Sequence, residues 1–157
     1  MNKTLGAVAL LALTACTAAP EQPAPPKFEE IDACSLLKSD DVDGRMRTFA
    51  LKDGTACHFQ FGSDKTAMRV TVRLHAQTFD EARKAFGDRG YGAVIGDRPM
   101  VRDCSASEER VECTSIVDAG ERKNFEMAVA TQEQVGPDVL GQTTQGLAAK
   151  VLERLPK

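Results

Sequence analysis

Five cysteines and two histidines are the residues of this chain best suited to chemistry, and their spacing separates them by role. Cys16 follows Leu13-Thr14-Ala15 at the end of an apolar run that begins at Leu5, and Lys3 stands in front of the run. A basic residue, a short apolar stretch, small residues and then a cysteine make a lipoprotein signal. The cysteine sulfur is acylated and the chain is cut in front of it. The run has roughly half of the ~20 apolar residues that a bilayer-spanning helix needs, so residues 1–15 read as a signal peptide. Each buried acyl CH₂ contributes about 0.8 kcal/mol, and two or three chains on one residue make a firm anchor. The membrane is therefore the expected partner of Cys16, and the cell envelope the expected location. Thr17, rather than Asp, after the cysteine points to the outer membrane facing the periplasm in a Gram-negative cell. In a Gram-positive cell the protein would sit on the outer face of the plasma membrane.

The other four cysteines, Cys34, Cys57, Cys104 and Cys113, are an even number in an oxidising compartment, which favours two disulfides. The pairing expected is Cys34 with Cys57 and Cys104 with Cys113. The second pair flanks a polar turn at 105–110, so its members can face each other across adjacent strands. Zinc would want CxxC or CxxH spacing, and neither occurs, so no metal site and no cofactor is expected. His58 and His75 read as strand residues. The hairpin turn sets His58 opposite about Arg69 or Val70, far from His75. No Gly-x-Ser-x-Gly elbow accompanies a serine, and no catalytic residue is nominated. Asp40, Asp41 and Asp43 lack the distal Glu of a calcium loop. Behind Ser39 they read as the capped start of an N-terminal helix. Gly87, Gly90, Gly92 and Gly96 do not make a phosphate-binding fingerprint and read as a flexible connection.

The elements that carry these residues begin after a tether. Residues 16–30 contain Pro20, Pro23, Pro25 and Pro26 and little to bury, and residues 31–157 have the length of one domain. Period-two alternation predicts strands at 56–61 and 68–76, joined as a hairpin, with a shorter strand at 48–51 beside them. Thr78 and Glu81 form a capping-box pattern ahead of a helix carrying Phe79, Ala82 and Phe86 on one face. Further strands are expected near 98–104, 111–117 and 124–131. An amphipathic helix starting at Thr143 or Thr144 buries Leu147, Val151, Leu152 and Leu155. The fold class expected is α+β: a mostly antiparallel sheet with N-terminal, central and C-terminal helices packed on one face.

Net charge is −3, with no Lys/Arg run to follow a phosphate backbone, which argues against nucleic acid as a partner. The candidate surface is the solvent side of the hairpin, where His58, Gln60, Arg69, Thr71 and Arg73 stand together as a polar, locally basic face. Tyr91, the one tyrosine, set between Gly90 and Gly92, is a second candidate as an aromatic on a flexible loop.

Asp32-Ala33-Cys34-Ser35-Leu36-Leu37 resembles the Asp-Pro-Cys-x-Leu-Leu opening of the DUF3558-like lipoproteins of high-GC bacteria, with Ala33 at the usual Pro. Cys57-His58-Phe59 matches their cysteine before an aromatic, with Phe59 where Trp is common. Val94-Ile95-Gly96-Asp97 matches a Val-x-Gly-Asp loop, and Leu155-Pro156 a helix ending in Leu-Pro. The family has no assigned activity, so the resemblance implies an envelope-anchored α+β domain and no reaction. The function expected is a non-catalytic protein-binding module of the envelope, with an inhibitor or immunity protein as one form of it. The alternative is a carrier of lipid or a small apolar ligand, with a cavity lined by Phe59, Phe61, Val72, Phe125 and Met127.

Overall fold

Alternating apolar residues build two antiparallel meanders in the computed structural model, which describes residues 26–156. Cys16, the signal peptide and most of the tether lie outside the described residues. The first meander is β1 (Arg47–Asp53), β2 (Ala56–Phe61) and β3 (Met68–His75). The second is β4 (Tyr91–Ile95), β5 (Arg98–Ala106), β6 (Val111–Gly120) and β7 (Lys123–Thr131). They meet where β3 pairs with β7, giving one seven-stranded sheet in the order β1-β2-β3-β7-β6-β5-β4. Three hairpins turn on two-residue loops, Gly54-Thr55, Gly96-Asp97 and Glu121-Arg122. The glycines of the first two have φ of 58° and 63°, the left-handed backbone that such tight loops require.

The inner face carries Phe59, Phe61, Val70, Val72, Leu74, Phe125, Met127 and Val129, all buried. Over β1–β3 it is covered by the N-terminal segment through Phe28, Leu36, Leu37 and Val42. Over β5–β7 it is covered by the C-terminal helix, Pro137–Arg154, through Leu140, Leu147, Ala148 and Val151. Each of the Val, Leu, Phe and Met side chains among these contributes about 1.5–3 kcal/mol on burial. Both disulfides form as expected. Cys34–Cys57 ties the N-terminal segment to β2, and Cys104–Cys113 joins residues directly opposite each other on β5 and β6.

Four expectations are corrected. The N-terminal helix is instead two 3₁₀ turns, Phe28–Glu30 and Ala33–Ser35, followed by irregular chain. Ser39 and the aspartates after it therefore start no helix. Asp41 is buried and spent on ion pairs with Lys150 and Arg154. The glycine-rich connection contains β4, so Tyr91 lies on an edge strand and not on a flexible loop. The C-terminal helix begins at Pro137, well before Thr143, because Pro at the first turn supplies its start.

The helices also do not share one face. The first helix, α1 (Phe79–Arg83), has the predicted box: Thr78 Oγ1 accepts from the Glu81 amide at 3.3 Å, and Glu81 Oε2 accepts from the Thr78 amide at 2.8 Å. It lies on the outer face, opposite the C-terminal helix (α2). There Phe79, Ala82 and Phe86 cover Val101 and Ile116 as a small second core. Asn124, fully buried, fastens α1 to β7 by donating to the Gln77 carbonyl at 2.7 Å. A Cβ on Gly90 would stand 2.3 Å from Val101 Cγ2 in this second core. Gly90→Ala is therefore expected to cost about 1–3 kcal/mol by overpacking, read as a lower midpoint in urea unfolding. An unchanged midpoint would show that α1 can lift without loss.

Candidate functional site

Two-residue periodicity decides which side chains meet on the outer face. His58 pairs with Thr71, Gln60 with Arg69, and Ala56 with Arg73. The five residues singled out from the hairpin thus share one surface, with His58 opposite Thr71 rather than Arg69 or Val70. The shift arises because the β2–β3 connection runs through a 3₁₀ turn, Asp64–Thr66, so pairing resumes only at Phe61 with Met68. Across the next ladder Arg73 faces Glu126, Thr71 faces Ala128, and Arg69 faces Ala130. On the other side Leu51 faces His58 and Phe49 faces Gln60.

This surface differs in composition from the basic face read off the hairpin alone. The flanking strands add Asp53 and Glu126, and carboxylates hold both imidazoles. His58 Nε2 lies 3.7 Å from Asp53 Oδ2, and His75 Nε2 lies 3.5 Å from Glu126 Oε2. His58 Nδ1 is 3.0 Å from Thr71 Oγ1. Arg69 and Arg73 are exposed and enter no ion pair among the described residues. The small side chains of Ala128 and Ala130 keep the floor between them low. At one end, Arg69 and Arg110 with Glu109 border a polar recess of about 140 Å³ floored by Ala67 and Ala130. Guanidinium groups over a low floor suit carboxylates, which they bind through paired N–H donors.

Asp53, His58 and Thr71 fall in the acid–imidazole–hydroxyl order of a hydrolytic triad. Thr71, however, sits within a strand paired on both sides, so the backbone amides around it are committed to the ladders and offer no oxyanion donors. No group of three or more His, Cys, Asp or Glu side chains suited to a metal ion occurs among the described residues.

Tyr91 belongs to a different place. Its register opposite Arg102 puts it on the inner side of β4, at the far edge of the sheet, 72% exposed. There it borders a cleft with Arg102, Cys104, Pro137 and Asp138. Tyr91 and the hairpin face cannot contact one small ligand together. Phe49 and Leu51, 49% and 54% exposed, join the outer face, where sequence reasoning does not place them. The alternation of Phe49 and Leu51 in the predicted strand at 48–51 is the signal that could have found them. Comparison with family models, curated proteins and solved structures returns no match. The functional reading therefore rests on the chain itself.

Proposed function

We propose that this protein is a lipid-anchored lipoprotein of the bacterial cell envelope, held by acylated Cys16, and that it acts as a non-catalytic protein-binding module. The resemblance to DUF3558-like lipoproteins belongs to the same proposal. One observation carries it: α1 covers the outer face only over β5, β6 and one end of β7, while β1, β2, β3 and the rest of β7 present apolar Phe49 and Leu51 on the same open face as Arg69 and Arg73. A protein partner that buries Phe49 and Leu51 and offers carboxylates to the two arginines matches this surface. An inhibitor or immunity protein, which blocks another protein by covering it, would use such a face.

Two further observations favour binding over the other classes. The side chains that a carrier cavity would need, Phe59, Phe61, Val72, Phe125 and Met127, are at most 2% exposed and belong to one core cluster. The Asp53–His58–Thr71 line lacks backbone donors for a reacting oxygen.

The test is charge reversal. Arg69→Glu with Arg73→Glu is expected to lower recovery of the crosslinked partner at least tenfold, because each charge-assisted pair carries on the order of 1.5–3 kcal/mol. Both side chains are exposed, so the thermal midpoint should stay within a few degrees. Undiminished recovery would remove this face from the account.

A further inference from the structure

The two edges of the sheet are not equivalent. At β4 the edge is short, and the Val94 carbonyl accepts a hydrogen bond from Gln145 Nε2 of α2 at 2.6 Å. Covering an edge in this way blocks addition of another strand. At β1 the Arg47 amide donates to the Ser39 carbonyl at 2.8 Å. Beyond it residues 48–53 are all exposed, and among the described residues no side chain reaches across their outer edge as Gln145 does at β4. Phe49 and Leu51 project from this edge on the outer face, with Met46, 65% exposed, just before it.

We infer that β1 is a self-association edge, and that its occupant is β1 of a second copy, paired antiparallel about Ala50. The strand is its own complement in that register. Phe49 of each copy stands opposite Leu51 of the other, and Thr48 opposite Lys52. The two Lys52 side chains fall at opposite ends of the pairing, so no like charges face each other. Shifting the axis by one residue to Leu51 would set Phe49 against Asp53 and lose the match. Shifting it to Phe49 would set Leu51 against Arg47, whose amide the Ser39 carbonyl already occupies, and lose the Phe49–Leu51 match. Arg47 is already engaged inward, donating to the Leu37 carbonyl at 2.7 Å.

Closure supports the same occupant. A strand paired with itself antiparallel obeys a two-fold axis and uses up both copies of the edge, whereas β1 against β4 would leave free edges and grow a filament. The Gln145 contact obstructs that second route. The dimer would be one sheet of twice the width, with the outer faces of both copies continuous across the axis. This inference stands apart from the binding reading, since the edge can pair whether or not the outer face has a partner.

The experiment uses the full chain, expressed in its own membrane. Ala50→Cys puts a thiol on the axis, where opposed Cα atoms lie about 4.5–5.5 Å apart, within disulfide range. Mild oxidation is expected to give a covalent dimer joined through the introduced thiols, identified by peptide mapping, while Val94→Cys on the other edge gives none. Adding Phe49→Lys and Leu51→Lys to the Ala50→Cys chain should cut the dimer yield at least tenfold. Sedimentation of the detergent-solubilised parent chain provides a measurement independent of the new thiol, and it should show a dimer that the two lysine substitutions convert to monomer. A parent chain that is monomeric at every concentration, or a dimer indifferent to those lysines, would overturn the inference.

Discussion

Asp41→Asn is expected to lower folding stability by about 3 kcal/mol, the scale for removing one partner from a buried ion pair. Asp41 is 8% exposed and stands in the N-terminal segment, facing the last turns of α2. Arg154 holds both carboxylate oxygens, with Nη2 donating to Oδ1 at 2.8 Å and Nη1 to Oδ2. The Lys38 amide donates to Oδ2 at 2.6 Å, and Lys150 Nζ donates to the Asp41 carbonyl at 3.0 Å. Arg154 Nη1 also reaches the Leu36 carbonyl at 2.9 Å. The carboxylate thus joins the two segments that roof the inner face. Losing its charge leaves Arg154 half-buried without its counter-ion. The cost corresponds to a fall in Tm on the order of 10 °C.

The Arg154 hydrogen bond, together with the Lys38 amide and the charges of Arg154 and Lys150, holds the Asp41 carboxyl down at about 2 against burial. A carboxyl with its folded value below the unfolded one stabilises the fold above the unfolded value, and that contribution fades as pH falls toward the folded one. Roughly 2 kcal/mol should therefore disappear between about pH 4 and about pH 2, and the Asp41→Asn chain should lack that component. In a double-mutant cycle, Arg154→Met should cost much less in the Asp41→Asn background than alone. Equal costs in both backgrounds would mean that the pair is not coupled.

Replacing Cys34 and Cys57 by Ala should cost roughly 3 kcal/mol, on the loop-entropy scale for a link between residues 23 apart. The equivalent change at Cys104 and Cys113, 9 residues apart, should cost somewhat less, about 2.5 kcal/mol. Strand pairing adds to the difference. Cys104 and Cys113 are also held by the β5–β6 ladder, whereas Cys34 sits in a 3₁₀ turn with few backbone bonds of its own. Without Cys34–Cys57, hydrogen exchange should accelerate first around Leu36, Leu37 and β1. The reverse order of the two costs would show that the N-terminal segment docks through packing alone.

The strands with strict alternation are legible in the amino-acid sequence, because β2, β3 and β7 each bury one face and wet the other. Disulfide pairing is legible too, since Cys104 and Cys113 flank a turn. Other features depend on contacts that local pattern does not encode. Asp41 looks like a helix-capping acid because its partners, Lys150 and Arg154, are more than a hundred residues away. The strand β4 has one glycine inside it and another before it, and only pairing with β5 makes it a strand. The outer position of α1 does carry a signal: Met100-Val101 and Ile116-Val117 are adjacent apolar pairs, which require burial on both faces of a strand. For the candidate site, the hairpin residues group correctly from the sequence, since two-residue periodicity is local. The carboxylates beside them do not, because Asp53 and Glu126 arrive through the neighbours that β1 and β7 become.

We propose that the open outer face engages a protein of the cell envelope. The most direct test is capture of the crosslinked chain from the cell envelope in which we propose it is anchored, with mass spectrometry of the proteins and lipids recovered together. One dominant protein is expected, with crosslinks mapping to residues on β1, β2 and β3. Enrichment of a lipid without a protein, or crosslinks confined to the α2 side, would contradict the proposal.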